Sequence, residues 1–197
     1  MVEVKRNPSI SLVVIRRDGS GLGGLLLYIK RYALFWNYNV MNLLDKKAIG
    51  YANSIIAMIN AEINDAASYR LAIDSIFCHV FGHVTKNDKR ALSKYNKKSE
   101  LSKKALLNPT DKRIVEHVVP ITVIYLELMS LTEGERKPEN IIKIIAKMYK
   151  VRRITVEEDL MLSRAGLQNS MPSEFYNAEH ELYGDLESRH KKVGIQA

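Results

Sequence analysis

Glu116 and His117 place a carboxylate next to an imidazole, and Val118, Val119 and Pro120 follow them. A histidine titrates close to neutral pH, so its imidazole can take a proton from a water molecule. A carboxylate can bind a divalent metal ion that activates the same water. If this segment is a strand, the two side chains point to its opposite sides. The pair is therefore a candidate for metal-assisted hydrolysis.

These five residues resemble the opening of the HNH, or ββα-metal, endonuclease motif: an acid, a histidine, two apolar residues and a proline. The resemblance implies that His117 is the general base for phosphodiester cleavage and that Glu116 binds Mg²⁺ or Mn²⁺. It also implies a second strand, at residues 152–156, and a helix after it. The helix of the family carries an Asn and then a His or Asn. Acidic residues stand there in this sequence, and Asp159 is the expected second metal ligand.

Local interactions explain the same residues without a metal. Thr155 followed by Glu158 is typical of a capping box at the start of a helix. Glu116 can pair with Arg113, and His117 can hydrogen-bond a backbone carbonyl at the end of a strand. Both interpretations stay open on the sequence.

The positive charge of the chain is concentrated in its middle. The net charge is +8, yet residues 86–113 carry +7 and residues 156–187 carry −7. A clustered positive field attracts a polyanion more strongly than the same charge spread over the surface. Tyr95 stands among the lysines, and their irregular spacing favours contacts to phosphates over contacts to bases. The predicted nucleic-acid-binding residues are Lys89, Arg90, Lys94, Lys97, Lys98, Lys103, Lys104, Lys112 and Arg113. The alternative is a solvated face that the later acidic residues neutralise within the fold.

The chain also resembles uncharacterised bacterial and phage-associated proteins that carry an EHxxP segment, a TxEED segment, an MP pair and a C-terminal Gly-Ile. The four features stand here at residues 116–120, 155–159, 171–172 and 194–195. This second resemblance implies no activity.

Two further patterns suggest other ligands. Gly19, Gly21 and Gly24 have the spacing of a dinucleotide-binding loop, but the same glycines suit a hairpin turn, and long helical stretches follow instead of alternating strands. His79 and His83 have the spacing of a zinc-binding pair on a helix, without the acidic residue that such helices usually carry between them. Core or interface histidines are the simpler interpretation.

The apolar pattern predicts a mainly α fold with a small β component (α+β), a helical domain that contains a ββα-like element. Apolar residues recur every three or four positions between residues 40 and 84, which predicts two helices with a break near Asn64. The apolar positions are Ile49, Ala52, Ile55, Ile56, Ile59, Ile63, Leu71, Ile73, Ile76, Phe77 and Val80. Strands are predicted at residues 9–15, 113–119 and 152–155, and further helices at 120–131, 140–149 and from 156. Residues 86–107 are predicted as an exposed helix or ordered loop, and the polar tail from Met171 is predicted to lie over the surface.

The length of 197 residues and the hydrophobic content of 46% suffice for one core. Residues 1–197 are therefore predicted as one domain, with a subdivision into 1–85, 86–112 and 113–197 as the alternative. Cys78 has no cysteine to pair with, and the first residues lack the apolar stretch of a secretory signal, which predicts a cytoplasmic protein. No apolar run approaches the roughly 18 residues that span a bilayer, so an integral membrane protein is not expected.

Three functions remain open on these grounds. The first is a nucleic-acid-binding protein that cleaves its polymer as an HNH-like endonuclease, with DNA favoured over RNA. The second is a noncatalytic nucleic-acid-binding or regulatory protein of phage or mobile-element type. The third is a protein–protein interaction module whose basic middle docks onto an acidic surface, or onto the acidic tail of a second copy in a homodimer.

Overall fold

Two amphipathic helices open the part of the chain that the structure describes. The structure is a computed structural model, and it describes residues 45–87 and 89–197. Helices α1 (Lys46–Asn60) and α2 (Ala66–Val80) each follow an aspartate whose side chain accepts hydrogen bonds from the first backbone N–H groups of the helix. Such caps satisfy donors that a helix cannot satisfy itself. The predicted helix pair with a break near Asn64 is confirmed.

The basic middle of the chain forms short elements. An antiparallel bridge joins Val84 to Arg90 and closes the loop at 84–90, of which the structure describes residues 84–87, 89 and 90. Helix α3 (Leu92–Lys98), strand β1 (Glu100–Leu101) and helix α4 (Lys103–Leu107) follow. The prediction of an exposed helix or ordered loop did not include the strand.

The remaining elements follow the predicted order closely. They are β2 (Arg113–His117), α5 (Ile121–Met129), a 3-10 turn (Glu133–Glu135), α6 (Pro138–Met148), β3 (Val151–Thr155), α7 (Val156–Arg164), a second 3-10 turn (Ser173–Tyr176) and α8 (Ser188–Lys192). Helix α7 begins with the predicted capping box: the Glu158 backbone N–H donates to Thr155 Oγ1 at 3.2 Å, and the Thr155 N–H donates to Glu158 Oε2 at 2.8 Å.

The three strands form one sheet in the order β1-β3-β2. Strand β2 runs antiparallel to β3, with Arg113 opposite Thr155 and His117 opposite Val151. Strand β1 runs parallel to β3, with Glu100 opposite Arg152. Helix α7 packs against both β2 and β3. Strands β2 and β3 with α7 thus make a ββα element in which α5 and α6 are inserted between the strands.

The main hydrophobic core lies among helices α1, α2, α5 and α6, and it includes Ile55, Ile76, Ile124 and Ile142. A smaller cluster of Ile154, Leu162, Leu167 and Ile195 packs β3 and α7 against the end of the chain. The fold class is therefore the predicted one, mainly helical with a small sheet.

Two sequence predictions on burial are wrong. Leu71 and Ile63, both assigned to an apolar helical face, are 57% and 37% exposed, and Ile63 lies beyond the end of α1. The tail does not only lie over the surface, because Ser188, Arg189 and His190 are fully buried. Both errors concern residues whose surroundings come from distant parts of the chain.

Some predictions lie outside the described residues, namely the strand at 9–15 and the glycine pattern at 19–24. The described residues all fall in one compact unit, Asn39–Ala197, and a single domain over residues 1–197 stays a prediction. Within the described part of the chain, no helix is both long and apolar enough to cross a membrane.

Candidate functional site

Glu116 and His117 lie at the end of β2, on opposite faces of the sheet. Adjacent residues of a strand point to opposite sides. The carboxylate of Glu116 accordingly meets Arg189 of α8, whereas the ring of His117 meets Tyr149 beside the helical core. The two side chains therefore have different surroundings.

The imidazole of His117 packs edge-on against Tyr149. The two ring centroids are 5.2 Å apart with the ring planes at 90°. The Nε2 atom is buried and has no hydrogen-bond partner among the described residues. Burial, together with the charges of Arg70 and Arg189, lowers the pKa of His117 from 6.5 to about 4. His117 is therefore neutral at pH 7, yet a base with so low a pKa accepts a proton less readily than one that titrates near neutrality.

The guanidinium of Arg189 holds the other member of the pair. It donates to Glu116 Oε1 and to the backbone carbonyl of His117. It also donates to the carbonyl oxygens of Leu167 at 2.7 Å and Gln168 at 3.1 Å. Arg189 is fully buried. Its side chain links helix α8 to strand β2 and to the segment that follows α7.

Glu116, one of the two expected metal ligands, is already paired with Arg189. Burial raises the pKa of Glu116, the Arg189 cation opposes that shift, and the negative charge of the Asp159 carboxylate adds to it. Asp159, the other expected ligand, lies in α7, which packs against β2. No group of three or more His, Cys, Asp or Glu side chains in residues 45–87 and 89–197 is placed to hold a metal ion. This arrangement does not fit a divalent cation unless Arg189 moves away, so Mg²⁺ or Mn²⁺ stays a prediction.

A second buried arginine, Arg152, ties the C-terminal segment to the central strand. It donates to the two carboxylate oxygens of Glu187 at 2.7 and 3.0 Å, and its Nη1 lies 3.0 Å from Nδ1 of His190. Lys150 reaches Glu187 at 2.8 Å and Glu100 at 3.0 Å. Burial raises the pKa of Glu187, but the hydrogen bonds from Arg152 and Lys150 outweigh it and lower this pKa to about 2. Burial and then the neighbouring arginines lower the pKa of His190 to about 3.

Sequence reasoning missed both buried arginines. Arg152 stands two residues before Ile154 and so shares its face of the strand. That alternation is a signal that could have placed Arg152 inward. Arg189 lies in the run Ser-Arg-His-Lys-Lys, which reads as an exposed basic helix end, and no sequence signal identifies its partners.

The histidine pair of α2 and its following loop lies in the core region. His79 is 5% exposed and lies 3.5 Å from the Asp45 carboxylate. The ring of His83 stacks on Phe77 with centroids 5.7 Å apart and packs against Tyr95. The interpretation as core histidines fits both residues.

Three of the predicted nucleic-acid-binding residues are engaged within the fold. Arg90 donates to the buried carboxylate of Asp74 at 3.2 Å, and Lys104 pairs with Glu157 at 2.5 Å. Arg113 donates to the carbonyl oxygens of Ala105 and Pro109 at 3.3 and 3.2 Å. The alternative pairing of Arg113 with Glu116 is therefore wrong, since Arg189 takes that place.

Five others point into solvent, and we call them the lysine set: Lys89, Lys97, Lys98, Lys103 and Lys112. No carboxylate in the described part of the chain lies within 4.0 Å of their amines. Lys103 alone has a polar side-chain partner, the carboxamide oxygen of Gln196 at 3.2 Å. Lys94 lies in α3 between them in sequence.

Three of the eight acidic residues at 156–187 form ion pairs with cations outside the basic middle. Glu174 pairs with Lys192, Asp185 with Lys191, and Glu187 with Lys150 and Arg152. Glu158 is used in the capping box and accepts from the Ser102 hydroxyl at 2.7 Å. Among the described residues, Glu157 is the one acid of this stretch that pairs with the basic middle.

Comparison with known proteins finds no family model, no curated protein and no solved structure that matches the chain.

Proposed function

We propose that this protein binds nucleic acid, with DNA as the expected polymer, through the lysine set. The observation that carries the proposal is the charge left over after folding. The acidic stretch at 156–187 could have neutralised the basic middle. Among the described residues, however, Glu157 is its one acid that pairs there, and Glu174, Asp185 and Glu187 pair with Lys150, Arg152, Lys191 and Lys192 instead. The lysine set therefore keeps a positive field that a polyanion can neutralise.

The chemistry of these side chains favours phosphate contacts over base recognition. Lysine presents a compact ammonium on a flexible stem, which acts as a point charge for phosphates. Arginines and amides read bases with paired hydrogen bonds, and Arg90 and Arg113 are already committed to Asp74 and to backbone carbonyls. We therefore expect binding without strong sequence preference.

Binding of a fluorescent DNA duplex over a series of NaCl concentrations tests the proposal. Each lysine that neutralises one phosphate contributes about −0.9 to the slope of log affinity against log salt. Replacing Lys97, Lys98 and Lys112 with alanine should reduce that slope by up to about 3 and weaken low-salt binding at least about tenfold. Fluorescence anisotropy measures both quantities.

A second triple variant with the same change of charge is the control. Lys137, Lys143 and Lys147 are exposed lysines at or near helix α6, outside the basic middle. Their replacement by alanine should leave the slope close to the wild-type value. Equal losses in the two variants would show that net charge, and not the lysine set, drives binding, and would contradict the proposal.

Metal-dependent cleavage is a second candidate function, and the ββα element favours it. Strands β2 and β3 are paired, and α7, which carries Asp159, follows β3 and packs against both strands, as the HNH resemblance implies. If this function is present, supercoiled plasmid is nicked in Mg²⁺ or Mn²⁺, and His117→Ala abolishes the nicking. Plasmid that stays intact with wild-type protein, or nicking that survives the substitution, would leave binding as the sole function.

We place this function in the cytoplasm. Cys78 is the one cysteine of the sequence, and it is buried as a thiol in the main core. A protein that uses no disulfide suits a reducing compartment, which is also where a nucleic-acid-binding protein meets its polymer in a bacterial cell.

A further inference from the structure

A cleft with a volume of about 530 Å³ lies beside helices α1 and α2 and the loop at 84–90. Sites for small molecules commonly have volumes of about 300–1,000 Å³. The cleft is large enough for a nucleotide-sized ligand. Neither Glu116 nor His117 lines this cleft.

Cationic side chains line one part of this cleft. They come from two places in the chain: Lys46 and Lys47 at the start of α1, and Lys89 and Arg90 in the loop. Two carboxylates lie nearby, Asp45 at the cap of α1 and Asp74 beneath Arg90. The balance of these charges is positive, which suits an anion with more than one negative charge.

The loop that carries Lys89 and Arg90 is held in place by its own hydrogen bonds. The Thr85 N–H donates to the Lys89 carbonyl at 2.7 Å, and the Lys89 N–H donates back to the Thr85 hydroxyl at 3.1 Å. The Arg90 guanidinium is anchored on Asp74 at 3.2 Å. The backbone of this loop and the Arg90 side chain are therefore held in place before any ligand arrives, which reduces the entropy lost on binding.

The rest of the cleft is lined by Gly50, Tyr51 and Leu71 together with the polar residues Ser54, Ser75 and His79. Tyr51 presents an aromatic ring, and Leu71 is 57% exposed although the spacing of α2 predicts it to be inward. Gly50 stands in the middle of α1, where glycine costs about 0.5–1 kcal/mol relative to alanine. A Cβ atom at Gly50 would meet no described atom within 4 Å. Packing of the described residues thus does not require glycine there, and a large side chain at this position would extend into the cleft.

We propose that this cleft binds a nucleoside phosphate, with the phosphate between Lys46 and Lys89 and the base against Tyr51 and Leu71. The ligand chemistry is a phosphate monoester joined to a planar, apolar-faced ring. Its source is either a free nucleotide or the phosphorylated end of a nucleic-acid strand. The inference goes beyond the proposed function: Lys89 belongs to both the cleft and the lysine set, but Lys97, Lys98, Lys103 and Lys112 do not line the cleft.

Titration calorimetry with adenosine monophosphate and with inorganic phosphate tests the inference. We expect saturable binding of the nucleotide to one site and weaker binding of phosphate alone, which lacks the ring. Gly50→Leu fills the cleft without changing any charge and should weaken nucleotide binding at least about tenfold. Replacing Lys46 and Lys89 with alanine leaves the cleft open and should have a similar effect through lost phosphate contacts.

A matched pair of lysines outside the cleft separates this inference from the proposed function. Lys97→Ala with Lys98→Ala should weaken duplex binding and leave nucleotide binding unchanged, and Gly50→Leu should do the reverse. A 5′-phosphorylated oligothymidylate that binds more tightly than its 5′-hydroxyl form identifies the strand end as ligand, and binding of the mononucleotide alone identifies the free nucleotide. Absence of saturable binding to both, or nucleotide binding that survives Gly50→Leu and the Lys46, Lys89 variant alike, would overturn the inference.

Discussion

Arg189→Met should lower the free energy of unfolding by about 3–5 kcal/mol, because it leaves a buried carboxylate without its cation. Glu116 pairs with Arg189 inside the protein, and burial already raises the pKa of this carboxyl group. The same guanidinium also donates to the carbonyl oxygens of His117, Leu167 and Gln168. Methionine fills a similar volume but donates to none of these acceptors, so all four would lose a partner. Urea unfolding followed by circular dichroism measures the loss.

The matched control lies in the same helix. Lys192 pairs with Glu174 at the surface, where its side chain is 49% exposed. Exposed ion pairs contribute about 0–1 kcal/mol, so Lys192→Met removes the same charge at little cost. If Arg189→Met is as mild as Lys192→Met, the buried arginine does not organise this part of the fold.

Acid should destabilise the protein well above the pH at which carboxylates titrate. The native pKa values of His117 and His190 are about 4 and about 3, against an ordinary value of 6.5. Below pH 6.5 the unfolded chain therefore binds two protons that the native protein does not bind. Each such proton lowers the free energy of unfolding by about 1.4 kcal/mol per pH unit. The contribution is fully present above pH 6.5 and is lost as the pH falls toward 4 and then 3, with a combined slope near pH 5 of about 3 kcal/mol per unit.

Carboxyl groups modify this slope at lower pH. The pKa of Glu187 is lowered to about 2, so its contribution to stability is lost as the pH falls below 4.5 and through 2. Glu116 and Asp74 have raised pKa values, and they act in the opposite direction because the native protein binds their protons first. The histidine effect is therefore clearest between pH 6.5 and 5.

Urea unfolding at several pH values in that range checks the expectation. His190→Gln keeps an acceptor for Arg152 and cannot take up a proton, so it should reduce the slope by about 1.4 kcal/mol per pH unit. His117→Gln should do the same. A wild-type stability that stays constant from pH 6.5 to 5 would contradict the low native pKa values of both histidines.

Local patterns in the sequence were sufficient for most of the helices and the longer strands. The apolar spacing of α1 and α2 comes from residues three and four apart, and the capping box of α7 joins Thr155 to Glu158, three residues on. Strands β2 and β3 were readable from their β-branched residues and the proline after β2. The two-residue strand β1 could not be predicted from local sequence, because it forms by pairing with β3, about 50 residues later in the chain.

For the candidate site, the sequence indicated which residues could do chemistry, but it did not indicate which side chains they contact. The sequence pointed to Glu116 and Asp159, which lie in β2 and in the helix packed against it. It did not show that Arg189, more than 70 residues after Glu116, takes the carboxylate. The cleft of Lys46, Tyr51, Lys89 and Arg90 was equally hidden, because it joins the start of α1 to the loop after α2.

The sequence by itself determined the concentration of positive charge at residues 86–113 and the acidic stretch after it. Only the tertiary structure decided which of those charges remain for a partner. Lys104 lies beside Glu157 and Arg90 beside Asp74, whereas the lysine set lies beyond reach of any described carboxylate. The physical reason is distance: attraction between side chains weakens within a few ångströms in water and salt, and folding alone sets which distant residues come that close.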